Sequence, residues 1–296
     1  MTLEQLRIFV AVAEREHVTR AAEALNLTQS AVSAAVSALE ARHATTLFDR
    51  IGRRIALTEA GRLFLVEARA VLARAAAAEA MLADLAGLKR GNLALAASQT
   101  VANYWLPPLL HRFRAAYPGV TLSLVIGNTE DVTAMIRDGS VDLGFVEGTV
   151  EDAALTIEPV AEDELVVVAS RTVAKGGKSK RFTPDDLKTL GWVFRERGSG
   201  TRAIFEAALQ DLGLAPDDLD IVLELPSNES VRAAVADGAG AAALSKLVVA
   251  PLLASGRLVA FDFELPKRRF FALRHKDRHV SEIERAFRAL IETPGQ

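Results

Sequence analysis

From Val18 to Glu40 the chain reads VTRAAEALNLTQSAVSAAVSALE, with apolar residues at helical spacing on both sides of a break at Asn26-Leu27-Thr28. So short a break makes two helices leave it at an angle, each with an apolar face to bury. The first spans about Thr19 to Leu25, buries Ala21, Ala22 and Leu25, and carries Arg20. Thr28 is placed to cap the second, its hydroxyl accepting from an amide that the helix start leaves unpaired. Val32, Val36 and Leu39 then share one face at i, i+4, i+7 spacing, while Gln29, Ser30 and Ser33 fall on the other. A packed apolar face and a free face of small polar residues is the pattern of a helix-turn-helix that reads DNA. A plain helical hairpin shares that pattern, so the neighbouring sequence has to decide.

That neighbour is LFDRIGRRIALTEAGR, Leu47 to Arg62, in which Arg50, Arg53 and Arg54 crowd around Gly52 and Ile55 and Leu57 alternate with smaller residues. It reads as a two-stranded wing turning at Gly52, with three guanidiniums at the tip for phosphate or minor-groove contact. A solvated charged turn is the alternative, and the adjacency of wing and helix pair favours DNA. The formal net charge of −3 does not oppose this. Screening confines a charge's reach to about 10 Å, and Arg42, Arg50, Arg53, Arg54 and Arg62 locally outnumber Asp49 and Glu59.

The next stretch, Thr58 to Leu88, has Gly61 as its only glycine or proline apart from Gly87 near its end, and is rich in alanine, leucine and arginine. Strong helix formers over that length predict one long helix. Leu63, Val66, Ala70, Ala73, Ala77, Ala80 and Leu88 give it a narrow stripe of small and apolar residues. Two such helices could pack closely antiparallel as a dimer; a single helix packed within a larger domain is the other reading.

After Lys89-Arg90-Gly91-Asn92 the pattern changes. Apolar runs at 93–97, 121–126, 143–146, 165–169, 192–194 and 221–225 alternate with helical stretches such as Leu109 to Tyr117 and Ala203 to Leu212. That alternation predicts parallel sheets covered by helices. The expected fold class is therefore α/β with an all-α N-terminal part. Three strand-to-helix junctions, Ser98-Gln99-Thr100, Gly127-Asn128-Thr129 and Arg197-Gly198-Ser199-Gly200-Thr201-Arg202, offer hydroxyls and free amides at helix starts, where small anions bind. Each junction alone could be ordinary capping; convergence on one cleft would favour an anion or carboxylate ligand.

Taken together, MTLEQLRIFVAVAEREHVTRAAEALNLTQSAVSAAVSALE and LFDRIGRRIALTEAGR closely resemble the N-terminal domain of LysR-type transcriptional regulators. The resemblance extends along the whole chain. LALAASQTVANYWLPPLL, the GNT at Gly127, FVEG at Phe145, RERGSGTR at Arg195 and ELPSNESVRAAVADGAG resemble the subgroup of sulfur-assimilation, sulfite-responsive and carbon-fixation regulators. This resemblance implies a winged helix-turn-helix over 1–58, a linker and dimerisation helix over 59–90, and a two-lobed, periplasmic-binding-protein-like (type II) effector domain over 91–296. Lobe I would take about 91–161 and 267–296, lobe II about 162–266. It also favours the dimer, and a tetramer built from it.

The implied partners are double-stranded promoter DNA, a small anionic effector, further copies of the chain, and RNA polymerase. DNA contact is expected from Arg20, Thr28, Gln29, Ser30, Ser33, Arg50, Arg53 and Arg54. Effector contact is expected from Ser98, Gln99, Thr100, Asn128, Thr129, Glu147, Gly148, Arg197, Ser199, Thr201 and Arg202. Arg197 replaces the proline usual in the subgroup's motif and adds charge there. Glu147 would repel an anion unless it faces away or pairs with Arg197 or Arg202. Sulfite, sulfate, a sulfur-containing precursor or a phosphorylated sugar would suit these groups.

Other classes have less support. No run of about 18 apolar residues suggests a membrane span, and the N-terminus lacks the pattern of a signal peptide, so a cytoplasmic protein is expected. The chain has no cysteine, which removes disulfides, thiolate metal sites and thiol redox switching. RGSGT at Arg197 lacks the spacing of a nucleophile elbow, and RERGSGTR lacks the lysine that ends a phosphate-binding loop. His275 and His279 sit in a charged HKDRH run that reads as solvated surface. No enzyme activity, metal or cofactor is expected. A cytoplasmic solute-binding protein without regulatory output is the alternative, and the attached DNA-binding pattern argues against it.

Overall fold

The computed structural model describes residues 1–51, 54–85, 91–148, 150–174 and 183–292. Its N-terminal unit contains α1 (Leu3–Arg15), α2 (Val18–Leu25), α3 (Gln29–His43), β1 (Phe48–Ile51), β2 (Arg54–Leu57) and α4 (Glu59–Leu85). α2 starts one residue earlier than expected, because His17 Nδ1 accepts from the Arg20 amide and caps it. It ends at Asn26, whose φ of 55° lies in the left-handed region that asparagine tolerates. Thr28 caps α3 as its chemistry predicts, its hydroxyl accepting from Ala31 N at 3.2 Å.

Leu6, Phe9 and Val12 of α1 close over Ala21, Ala22, Val32 and Leu39. The Phe9 ring lies 5.4 Å from that of Phe48 and 4.8 Å from that of Phe64, so one aromatic side chain anchors both wing and α4. Glu40 ties α3 to the wing by accepting from Leu47 N (2.7 Å) and Phe48 N (3.2 Å). The wing strands pair antiparallel from Phe48↔Leu57 to Ile51↔Arg54. The expected turn at Gly52 lies outside the described residues. On α4, Phe64, Leu65, Ala68 and Leu72 face the core. Leu63 is 69% exposed and Val66 49%, and Ala70, Ala73 and Ala77 continue their line, half-buried. The remaining stripe positions, the Ala80 side chain and Leu88, lie outside the described residues.

The second unit contains β3 (Gly91–Ser98), α5 (Leu106–Ala116), β4 (Val120–Gly127), α6 (Thr129–Asp138), β5 (Leu143–Glu147), β6 (Leu155–Asp163), β7 (Leu165–Ser170) and α7 (Pro184–Leu187). It continues through β8 (Gly191–Arg195), α8 (Gly200–Asp211), β9 (Asp220–Leu225), α9 (Asn228–Asp237), β10 (Ala241–Ser245), α10 (Lys246–Ala254), β11 (Leu258–Ala260), β12 (Arg268–His275) and α11 (Glu282–Glu292). One sheet has the order β4-β3-β5-β12-β6 and the other β11-β7-β10-β8-β9.

The expected parallel sheets are in fact mixed. β12 runs antiparallel to β5 and β6, and β7 antiparallel to β10 and β11. The cause is the crossing of the chain. β6 ends at Asp163 and β7 begins at Leu165, so the chain leaves one sheet at its carboxyl edge and enters the other at the edge where β8 and β10 finish. The entering strand must run against its neighbours, and β12 does the same on the return. The carboxyl ends of the parallel strands of both sheets therefore face each other, which is where open α/β sheets hold ligands. No helix among the described residues is long and apolar enough to cross a membrane.

Candidate functional site

Two places carry free or converging polar groups. On α3, Gln29 and Ser30 are exposed, and Thr28 and Ser30 hydroxyls lie 3.1 Å apart at its start; Arg20 is exposed on α2. Ser33 is half-buried, because its position on the helix circle falls close to Val36. Ala35 packs against the core, whereas Ala34 is exposed. Ser37, seven residues beyond Ser30 on the same line, is exposed like Gln29 and Ser30. The side chains of Arg50, Arg53 and Arg54 lie outside what the structure describes.

The second place is the facing strand ends of the α/β unit. Ser98, Glu147 and Asp163 end β3, β5 and β6; Arg195 and Ser245 end β8 and β10; Arg268 opens β12; all six are buried. Glu147 is the centre. Its carboxylate accepts from Ser98, from Thr100 at 3.4 Å and from Thr201 at 3.3 Å, with Arg268 Nη1 at 4.0 Å. Arg268 in turn donates to Thr201 at 3.0 Å and to Asp163 at 2.6 Å, and Ser245 donates to the other Asp163 oxygen at 2.8 Å. Asn228 donates to Thr100 at 2.9 Å and accepts from Arg195, whose remaining nitrogens grip Glu196.

Gly200 explains how the sheets come so near. A Cβ there would stand 2.1 Å from the Glu147 carbonyl oxygen and 2.5 Å from Thr129 Oγ1, so only glycine allows the approach. Thr129 donates to that carbonyl at 3.0 Å. Gly198 adopts φ +83°, a left-handed turn that places Ser199 to cap α8 by accepting from Arg202 N. Gly148, φ +94°, lies 3.4 Å from Gly200 Cα when given a Cβ.

Several expected contacts fall elsewhere. Arg197 is exposed rather than in the buried cluster, because the turn at Gly198 leaves it outside. Arg202 points away from Glu147, held by Glu206 (2.7 Å), Glu224 (2.6 Å) and the Arg195 carbonyl (2.9 Å). Glu147 pairs with neither arginine and does not face away; hydroxyls surround it instead. Asn128 is used locally, exchanging bonds with Asp131 at the start of α6. Gln99 reaches α9, accepting from Asn228 N and donating to Pro226 O, each at 2.9 Å.

Arg195, Asn228, Asp163, Ser245 and Arg268 join the site without having been expected there from sequence. The first two lie within the motifs RERGSGTR and ELPSNES, so their position was visible though their role was not. Asp163 and Arg268 meet only through strand pairing across 105 residues, and nothing local announces it.

A winged helix-turn-helix joined to a two-sheet α/β unit with a buried polar cluster between its sheets defines a DNA-binding regulator with a small-molecule effector domain. The chain belongs to the LysR family of transcriptional regulators. Residues 3–62 match the bacterial regulatory helix-turn-helix protein, lysR family, and residues 86–294 match the LysR substrate binding domain. The uncharacterized HTH-type transcriptional regulator YeiE of Escherichia coli (strain K12) is 36% identical over 291 residues, covering 97% of this chain and 96% of that one. A probable RuBisCO transcriptional regulator of Cyanophora paradoxa is 35% identical, with 99% and 91% covered. The solved Synechocystis PCC6803 CcmR regulatory domain in complex with 2-PG is 30% identical with a TM-score of 0.62, covering 68% of this chain and 96% of that one.

Proposed function

We propose that this regulator binds promoter DNA in the cytoplasm and that a small oxyanion in the cleft, sulfite or sulfate in the first instance, modulates that binding. The observation that carries the effector reading is the ring of hydroxyls around Glu147. Three neutral donors and a guanidinium aimed at one carboxylate suit a bound oxyanion equally well. Arg268 is matched by Asp163 and Arg195 by Glu196, so an ionised Glu147 leaves the cluster with a negative excess. An arriving anion takes over the hydroxyls only if Glu147 swings out or accepts a proton. Ser98, Thr100 and Thr201 are the direct ligands in this reading, Arg268 supplies positive potential, and Thr129, Ser199, Gly148 and Gly200 shape the wall. Arg197 and Arg202 have no part in it.

Glu147→Gln removes the charge at nearly constant shape; its amide oxygen can still accept from Thr100 and Thr201, while its NH2 must donate to the Ser98 oxygen. Calorimetric titration with sulfite and with sulfate should show at least about tenfold tighter binding to the variant, since a like charge within a few ångströms costs more than about 1.4 kcal/mol. Equal or weaker binding of both anions by the variant would remove the oxyanion assignment.

In the same reading, 1–58 is the DNA-reading part, 59–90 the linker and 91–296 the effector part, with RNA polymerase the partner through which promoter occupancy acts. The line Leu63, Val66, Ala70, Ala73 and Ala77 on α4 supports an antiparallel dimer, and through it a tetramer. Two α3 helices then meet major-groove faces about one DNA turn apart or a multiple of it. Footprinting should show paired protected half-sites, and Gln29→Ala should weaken operator binding by about 1–3 kcal/mol while leaving random DNA nearly unaffected. A single protected half-site, or equal loss on both DNAs, counts against these assignments.

A further inference from the structure

The two lobes also meet beside the Glu147 cluster, where Asn228 already bonds Thr100. β3 is separated from the crossover strand β12 by β5, and α9 packs across β8, β10 and β7. Here the segment following β3 meets the first turn of α9. The Tyr104 ring packs against the apolar cluster of the second sheet that includes Val231, Val235 and Val248. Its hydroxyl lies 3.2 Å from Glu229 Oε1, to which it donates, and accepts from Arg232 Nη1 at 3.2 Å. Asn103 donates to the same Glu229 oxygen at 3.3 Å, and the Asn228 amide donates across to Gln99 at 2.9 Å.

We infer that Tyr104, gripped by Glu229 and Arg232, is a latch that holds the two lobes closed, with the crossovers at Asp163–Leu165 and Ala260–Arg268 acting as the hinge. Tyrosine suits the task because its ring needs an apolar seat in one lobe and its hydroxyl needs polar partners at the rim. Opening strips the ring of that apolar cluster and leaves the phenol without Glu229 and Arg232. The closed form is then the resting state before any effector arrives, and passage of a ligand into or out of the Glu147 cluster requires release of the latch.

The chain has no cysteine, so two introduced ones carry spin labels without background. Ala115→Cys on α5 and Ala250→Cys on α10 are exposed positions on opposite lobes. In the full-length protein with no ligand added, diluted into an excess of unlabelled chain so that distances are within one chain, electron double resonance should give one dominant short distance. Adding Tyr104→Phe and Glu229→Gln together should raise the ratio of a longer to the shorter distance by at least about tenfold, the effect of losing the two hydrogen bonds of the Tyr104 hydroxyl, both with charged partners. An unchanged distribution in a variant that still melts cooperatively overturns the latch. Should the variant not fold, the unaltered chain decides: the Asn228 amide, whose acceptor belongs to the other lobe, is protected from hydrogen exchange if the latch is closed, and exchange at the rate of a free loop refutes it. No effector enters either measurement, so failure here leaves the oxyanion reading standing.

Discussion

Arg268→Met should lower the stability of the α/β unit by about 3–5 kcal/mol, the range for removing one partner of a buried ion pair. Arg268 is 4% exposed and Asp163 8%. The two are ladder partners where β12 opens and β6 ends, so the pair clamps the two crossover strands to each other. Without the guanidinium, Asp163 keeps Ser245 as its hydroxyl donor and remains an anion away from water. Methionine retains most of the apolar stem, which separates loss of charge from loss of packing. Combining it with Asp163→Asn should recover most of the loss, because the uncompensated charge and not the missing contact is the larger cost. Urea denaturation of the three variants checks this; a loss below about 1 kcal/mol for the single substitution would show that Asp163 finds water or a new partner.

The second large effect is a dependence on pH. Glu284 on α11 is 5% exposed, and one of its carboxylate oxygens has no hydrogen-bond partner. Burial pushes its pKa up to about 7, against the opposing pull of Arg274 and Arg288 and with some help from Asp142. Burial also raises Asp142, opposed by its bond from the Ala94 amide and by Arg278. A carboxyl group whose pKa rises on folding contributes stability that is fully present below its unfolded value near 4.5 and is lost as pH climbs through 7. A displacement of that size corresponds to about 3 kcal/mol at most. Glu284→Gln should therefore match the parent protein at pH 4 and exceed its stability at pH 8, with the difference opening between those values. Parallel melting curves for the two proteins across that range would show that Glu284 ionises freely.

Much of the helical unit is legible in the order of its residues. Thr28 acts as a cap because a hydroxyl before a helix has one dominant use, and Val32 and Leu39 are buried because they share a face by spacing alone. Where residue type misleads, the competing influence is identifiable. Ser33 lies beside Val36 on the helix circle, so its polarity suggests more exposure than its angle permits. In the α/β unit, strands with unbroken apolar runs, such as Leu143 to Val146, are equally legible. β6 and β12 are not, because LTIEPVAED and RRFFALRH mix charges into strands that lie in the crossing region.

Sequence alone determined what depends on neighbours along the chain: the caps, the helix faces, the apolar strand runs and the motifs that mark a LysR-type regulator. Which charges meet was decided by tertiary structure. Arg197 and Arg202 sit in the right motif, yet the turn at Gly198 leaves one exposed and Glu206 and Glu224 claim the other. Asp163 and Arg268, far apart in the chain, become partners because two strands cross between lobes side by side. Glu147 takes Ser98 and Thr100 from its own lobe and gains Thr201 because Gly200 lets the second lobe approach within contact of the first. Spacing controls a helix face, whereas a buried charge is controlled by whichever groups the fold brings within a few ångströms, where low dielectric makes each interaction strong.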